Sequence, residues 1–391
     1  MRLLLVCLLC SLSSCWMFRA FKVRRLQLTD HKKLPSVPIA KSDHPFYFKK
    51  TDDKIKYSSV GLIDSLIRDT ETAAFLVIRN DSLLYEKYFL GFDENSILPS
   101  NSMAKSFTGT LVGIALFEGK IKSANEPITD YLPELEKRDP RFHKITIQHL
   151  LDMRSGLDFN EGSYNLNDDA VKMGLKRNLV KHILKVKIKE EPGKFKYQSI
   201  NPQLLGLIVE RATGEKLQYY FQEKLWKPLG AENDATWNVD SRKRKHVITS
   251  AAINATARDF AKIGRLYLQK GRLSDKQLIS SDWIKTVASA DTLEKYDGYK
   301  NQWWNKRGTQ YYKDSVVKIK KMTPRKKRQV VLRRTDRGYF LNVPTDAFNA
   351  YGFLEQIIYI YPQKNLIIVR LGREWPYEKF TQTIYDLGER L

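Results

Sequence analysis

The chain has almost no cysteine. Cys7, Cys10 and Cys15 fall at the very start of its 391 residues, so the remainder holds no thiol nucleophile, no disulfide and no cysteine-based metal site. Histidine is scarce as well. The six histidines show neither HExxH nor His-x-His spacing, so the chain lacks the sequence signatures of a zinc site, and no metal or other cofactor is expected. No apolar run reaches the roughly 20 residues that a membrane-spanning helix needs. Acidic residues are the minority charge, 44 against 67 Lys and Arg, which leaves a formal charge of +23. An excess of that size points to anionic partners, either nucleic acid or an anionic envelope surface. The plainer reading is a solvated basic surface, because lysine is spread along the whole chain. No nucleic-acid recognition motif accompanies the charge, so no nucleic-acid partner is expected.

Hydrophobic residues make up 42% of the chain, enough for one large catalytic domain behind a short leader. Met1-Arg2 followed by Leu3 to Cys10 reads as a charged start and an apolar h-region. Leu12-Ser13-Ser14-Cys15 then resembles a bacterial lipobox, with Cys15 the lipidated residue, which predicts a lipid-anchored protein of the cell envelope facing the periplasm. An ordinary cleaved signal peptide and an uncleaved anchor continuing through Trp16-Met17-Phe18 are the alternatives. Arg19, Lys22, Arg24 and Arg25 follow the apolar run, and positive charge there counts against export. The division expected is a signal peptide over 1–15, a basic tether over 16–54 carrying Pro35, Pro38 and Pro45, and a catalytic domain over 55–391.

Ala73 to Ile78 turns at Asn80-Asp81 into Leu83 to Phe89, a hairpin signal near the start of that domain. A second hairpin lies near the end, where Gln356 to Tyr361 turns at Pro362 to Asn365 into Leu366 to Arg370. Glu378 to Leu391 reads as a closing helix, and the middle of the chain is mainly helical. Strands at both ends and helices between predict a sheet assembled from the two chain ends and flanked by helices. A strongly basic stretch at about 313–345, with Lys318 to Lys321 and Arg325 to Arg328, reads as an inserted loop or hairpin.

The strongest chemical signal is Asn101-Ser102-Met103-Ala104-Lys105. Serine three residues before lysine on one helix places both side chains on the same face. Serine attacks a carbonyl only when a base takes its proton. Lysine does so only when neutral, a form favoured by burial and by the positive end of a helix. The Ser102 backbone N–H, at the same helix start, can donate to an oxyanion. The competing reading is Ser102 as a plain N-cap and Lys105 as a surface residue. A second tetrapeptide of this form, Ser315 to Lys318, is assigned nothing; Ser102 differs from it in opening an apolar helix after the turn Pro99-Ser100-Asn101.

This segment resembles the first motif of the serine β-lactamase-related hydrolases, the family of class C β-lactamases, D-alanine carboxypeptidases, family VIII esterases and nylon-oligomer hydrolases. The resemblance recurs in order. Ile147 to Leu157 is similar to the helix and turn after the first motif, Gly193 to Gly206 to the second motif, Asn254 to Ala261 to a later helix, and Tyr299 to Trp304 to a tryptophan pair of the nylon-oligomer branch. It implies a β-lactamase/transpeptidase-like α/β (α+β) fold. It also implies that Tyr197 moves the proton between Ser102 and the leaving group. A tyrosine simply packed in a loop is the ordinary alternative. Ser199 stands where many relatives carry asparagine, and its hydroxyl can hydrogen-bond Lys105 or substrate. The third motif aligns on Ala350 to Gln356, with Gly352 allowing close backbone approach and the Phe353 N–H as second oxyanion donor. Ala350 supplies neither the cation nor the imidazole of the antibiotic-binding members. Trp303 and Trp304 line a pocket or sit in the core.

The expectation is a serine hydrolase that cleaves an ester or amide bond of a small or peptide-like substrate through acyl-Ser102. Its rivals are a cell-wall peptidase or penicillin-binding protein acting on D-amino acids, and a catalytically silent binding protein of the same fold.

Overall fold

The computed structural model describes residues 27–50, 57–68, 70–163, 167–289, 298–305, 308–312, 331–335, 338–343, 346–373 and 380–391. The expected signal segment with Cys15 and the basic runs at 318–321 and 325–328 lie outside the described residues. The chain divides into two compact units, Met1–Phe46 with Ser96–Thr256, and Tyr47–Asn95 with Ala257–Leu391. Each unit is built from two stretches of chain.

The second unit holds the sheet expected from the chain ends. Its eight strands run Tyr299–Lys300, Trp303–Trp304, Phe348–Gly352, Gln356–Tyr361, Leu366–Gly372, Thr72–Arg79, Ser82–Tyr88 and Lys49–Lys50. The last pair is parallel and the others are antiparallel. The two hairpins meet where Ile367 faces Ile78 and Ile368 faces Val77. Both residues of the first turn, Asn80 and Asp81, have positive φ (51° and 59°), a conformation that Asn and Asp tolerate and that matches strand twist. These strands are apolar on both faces, so both must be covered. Phe75, Val77, Ile357, Tyr359 and Ile368 pack with Ile63 and Ile67 of the helix Tyr57–Ile67 and with Ile384, Tyr385 and Leu387 of the closing helix Phe380–Arg390. The alternate residues are covered by the helix Ala257–Leu268, whose Gly264 lets it approach so closely that a Cβ there would stand 3.0 Å from Ile367. Within the basic stretch, Val331–Thr335 and Gly338–Val343 pair as the expected hairpin, and Gly308–Tyr312 adds a third strand.

The first unit has at its centre the helices Ala104–Phe117 and Ile200–Thr213, buried along most of their lengths. Gly214, at φ 72°, ends the second of them. Four short strands, Ser36–Ile39, Ala235–Asn238, Ile253–Ala255 and Leu98–Pro99, form its sheet. Part of the expected tether is thus folded structure. Ser36–Ile39 pairs with Ala235–Asn238, and Val37 and Ile39 alternate into the core. A four-residue strand interrupted by Pro38 carries too short a period to stand out in a basic, proline-containing stretch.

Candidate active site

Leu98–Pro99 delivers the chain to the nucleophile candidate. Ser100 fixes the approach, its N–H donating to Ile253 O at 2.8 Å and its Oγ accepting from the Ile253 N–H at 3.1 Å. Asn101 then takes φ 45°, and Ser102 sits in the 3-10 turn Asn101–Met103 that runs into the helix Ala104–Phe117. Ser102 is not the N-cap of that helix. Met103 holds that position, with no side-chain cap. The Ser102 hydroxyl is therefore not consumed by a helix end.

Every residue from Ala104 to Ala115 is buried, so Lys105 enters the interior with its helix and is only 2% exposed. Its Nζ lies 2.9 Å from Ser102 Oγ, 2.9 Å from Ser250 O and 5.0 Å from the Tyr197 ring centre. The plain surface-lysine alternative fails on that burial. A buried amine is costly unless its hydrogens find acceptors, and the Ser250 carbonyl is one that no motif announced.

The segment 247–250 that carries this carbonyl is held by both central helices. From the serine helix, Thr108 Oγ1 donates to Thr249 O at 2.9 Å. From Ile200–Thr213, Gln203 Nε2 donates to Val247 O at 3.0 Å, and Gln203 Oε1 accepts from the Thr249 N–H at 3.0 Å. Thr249 Oγ1 donates to Pro202 O at 2.8 Å. Gly206 makes room for the arrangement, since a Cβ there would stand 2.4 Å from Thr249 Cγ2. Ser102, Lys105 and Thr108 are spaced three apart on one helical face, so a single face carries the nucleophile, the amine and a clamp on the amine's acceptor.

Tyr197 lies in the stretch without regular secondary structure before Ile200–Thr213, and its neighbours are tied to the segment 153–161. Lys196 donates from its backbone N–H to Met153 O at 2.8 Å and from Nζ to Phe159 O at 2.9 Å. Gln198 Nε2 donates to Leu157 O at 3.0 Å and to Phe159 O at 2.8 Å. The Ser199 hydroxyl, expected to hydrogen-bond Lys105 or substrate, meets a carboxylate. Its Oγ donates to Glu161 Oε1 at 2.6 Å, and its backbone N–H donates to the other carboxylate oxygen. Glu161 follows Phe159 by two positions and belongs to no recognisable motif.

The remaining candidates lie in the second unit. Gly352 ends the strand Phe348–Gly352, and Phe353 follows it in the turn before Gln356–Tyr361, its side chain 37% exposed. Leu354 and Glu355 in that turn both have positive φ (63° and 55°). Their carbonyls accept from the buried Arg370 guanidinium at 2.7 and 3.1 Å, whose pKa burial pulls down to about 10. Ala350 is fully buried. Trp303 is a core residue, stacked among Tyr267 and Phe348 with ring centres 4.5 and 5.3 Å away. Trp304 is half-buried and meets Tyr299 edge-on at 4.8 Å. Among the described residues no cluster of His, Cys, Asp and Glu could hold a metal ion.

Comparison with known proteins agrees with this geometry. The Beta-lactamase family matches residues 62–386. A 6-aminohexanoate-dimer hydrolase of Paenarthrobacter ureafaciens is 29% identical over 273 residues, which cover 63% of this chain and 68% of that protein. Among solved structures, a class C beta lactamase from Rhodobacter sphaeroides superposes with a TM-score of 0.58 at 18% identity, over 85% of this chain and 99% of that one. The hydrolase EstCE1, described as having promiscuous acyltransferase activity, gives a TM-score of 0.59 at 12% identity, over 84% of this chain and 97% of that one. With the family spanning most of the chain and the β-lactamase/transpeptidase-like fold in place, this protein belongs to the Beta-lactamase family and is a hydrolase of that family.

Proposed function

We propose that the protein is a serine acyl hydrolase that cleaves an ester or amide bond through a covalent acyl-Ser102 intermediate. The observation that carries this reading is the 2.9 Å approach of Lys105 Nζ to Ser102 Oγ inside a buried helix. With one Nζ hydrogen given to Ser250 O, Lys105 is placed to act as the base that accepts the hydroxyl proton as Oγ attacks the acyl carbon. The carbonyl electron pair moves onto oxygen. The Ser102 N–H stabilises that charge. Collapse of the tetrahedral centre re-forms the carbonyl and expels the alcohol or amine, which takes its proton through the Tyr197 hydroxyl. Water then attacks the acyl group, its proton returns by the same groups, and the acid leaves with Ser102 restored.

The Paenarthrobacter relative is named for the 6-aminohexanoate dimer, which places that dimer beside simple esters among the first substrates to try. Ala350 offers no cation to a substrate carboxylate, which disfavours the D-amino-acid peptidase reading. The test is intact mass after treatment with a fluorophosphonate. One adduct on the parent and none on Ser102→Ala supports an activated serine. If neither the fluorophosphonate, p-nitrophenyl esters nor penicillin modifies the parent, the chain is a binding protein of this fold.

A further inference from the structure

We propose that Glu161 is a positioning residue for the proton shuttle: it sets the place of Tyr197 by gripping Ser199. This rests on the reading of Ser102, Lys105 and Tyr197 as the reacting set. Three features of the first unit carry it.

The first is the form of the contact. One carboxylate accepts both the backbone N–H and the hydroxyl of Ser199, the hydroxyl at 2.6 Å. Hydrogen bonds to an ionised acceptor are shorter and stronger than neutral ones, and two on one residue fix both its backbone and its side chain.

The second is where Ser199 stands. It is the N-cap of Ile200–Thr213 and makes no side-chain cap bond of its own. A carboxylate at that point complements the positive end of a fourteen-residue helix. The contact therefore anchors the helix start rather than a free loop.

The third is the pattern along the strand of chain. Residues 196, 198 and 199 are each tied to the segment 153–161, while Tyr197 between them turns its ring to Lys105. Residues 153–161 act as a splint along the back of Tyr197. Glu161 is the end of that splint nearest the helix, and it acts through its side chain where Leu157 and Phe159 act through carbonyls. A carbonyl hold survives substitution of its residue. The Glu161 hold does not, so a side-chain change there releases the end of the splint nearest the helix.

The test compares Glu161→Ala, Glu161→Gln, Ser199→Ala and the double variant Glu161→Ala/Ser199→Ala on a p-nitrophenyl ester. Rates are referred to the sites titrated by fluorophosphonate, so that unfolded protein does not count. Glu161→Ala is expected to lower kcat about tenfold with KM held within about twofold, since the loss falls on proton transfer rather than on substrate contact. Glu161→Gln, which keeps one acceptor oxygen, falls between parent and alanine variant and carries the test if Glu161→Ala does not fold. The double variant is expected to be no slower than Glu161→Ala, because both changes break one contact. Unchanged kcat in Glu161→Ala and Glu161→Gln, losses that multiply in the double variant, or a rise in KM at constant kcat each overturn the inference while leaving the serine mechanism standing. A parent that takes no label at Ser102 overturns both together.

Discussion

Gly206 offers a perturbation whose sign the structure decides. It lies inside the helix Ile200–Thr213, where alanine would ordinarily stabilise by about 1 kcal/mol through helix propensity. A Cβ there would stand 2.4 Å from Thr249 Cγ2, 3.0 Å from Thr249 Oγ1 and 3.1 Å from Leu217 Cδ2. The first contact is too short to keep, and the branched Thr249 side chain is pinned by its 2.8 Å bond to Pro202 O. Overpacking in a close-packed interior costs about 1–3 kcal/mol, and breaking that hydrogen bond adds about 1 kcal/mol. The propensity gain is outweighed, and Gly206→Ala is expected to be less stable than the parent by about 1–3 kcal/mol. The effect does not stop at stability. Thr249 precedes Ser250, whose carbonyl holds Lys105 Nζ at 2.9 Å, so the same variant is expected to acylate more slowly at Ser102 per folded molecule. Urea unfolding gives the first quantity and the rate of fluorophosphonate labelling the second. Thr249→Ser removes the clashing methyl and keeps the hydroxyl, so adding it to Gly206→Ala should recover much of both losses. A Gly206→Ala protein with the parental midpoint and labelling rate would falsify the packing argument. A double variant no better than the single would show that Thr249 Cγ2 is not the obstacle.

Other outcomes follow from the same geometry. Lys105→Met is expected to lower kcat by about 10²- to 10⁴-fold, and Lys105→Arg should not restore it, because a guanidinium does not give up its proton; steady-state kinetics on an ester checks both. Arg370→Met removes one donor each from the carbonyls of Leu354, which keeps Gln356 Nε2 at 3.0 Å, and Glu355, in a turn of two left-handed residues, and is expected to cost about 1–3 kcal/mol by urea unfolding. His31, His149, His182 and His246 all have pKa values pulled below the usual histidine value, chiefly by burial. A histidine depressed in the fold binds fewer protons there than when unfolded, so stability is full above the ordinary histidine range and falls as pH drops through it. His149→Gln should flatten part of that acid slope: His149 Nδ1 accepts from the Thr146 N–H in a capping box, and glutamine fills the same role without titrating.

The parts legible in the sequence were those with a local period or an ordered set of motifs. The hairpins around Asn80-Asp81 and Pro362 to Asn365 announce themselves by β-branched runs broken at turn residues, and the structure has them. Ser102 and Lys105 are three apart on one helix, so their meeting is a local fact and needed no tertiary knowledge. What the sequence hid is made by long-range contact. Ser250 accepts from Lys105 through its backbone carbonyl, an atom every residue has, so no residue type marks the position. Glu161 reaches Ser199 across 38 positions, and a lone glutamate after Phe159-Asn160 reads as surface charge. Trp303 shows another limit: the residue type fits a pocket wall and a core equally, and only its packing against Tyr267 and Phe348 places it in the core. The division of labour has a physical reason. The reacting groups must be particular side chains and so leave a trace in composition. The groups that aim them need only an acceptor in the right place, and a carbonyl or an ordinary carboxylate supplies one wherever the chain happens to pass.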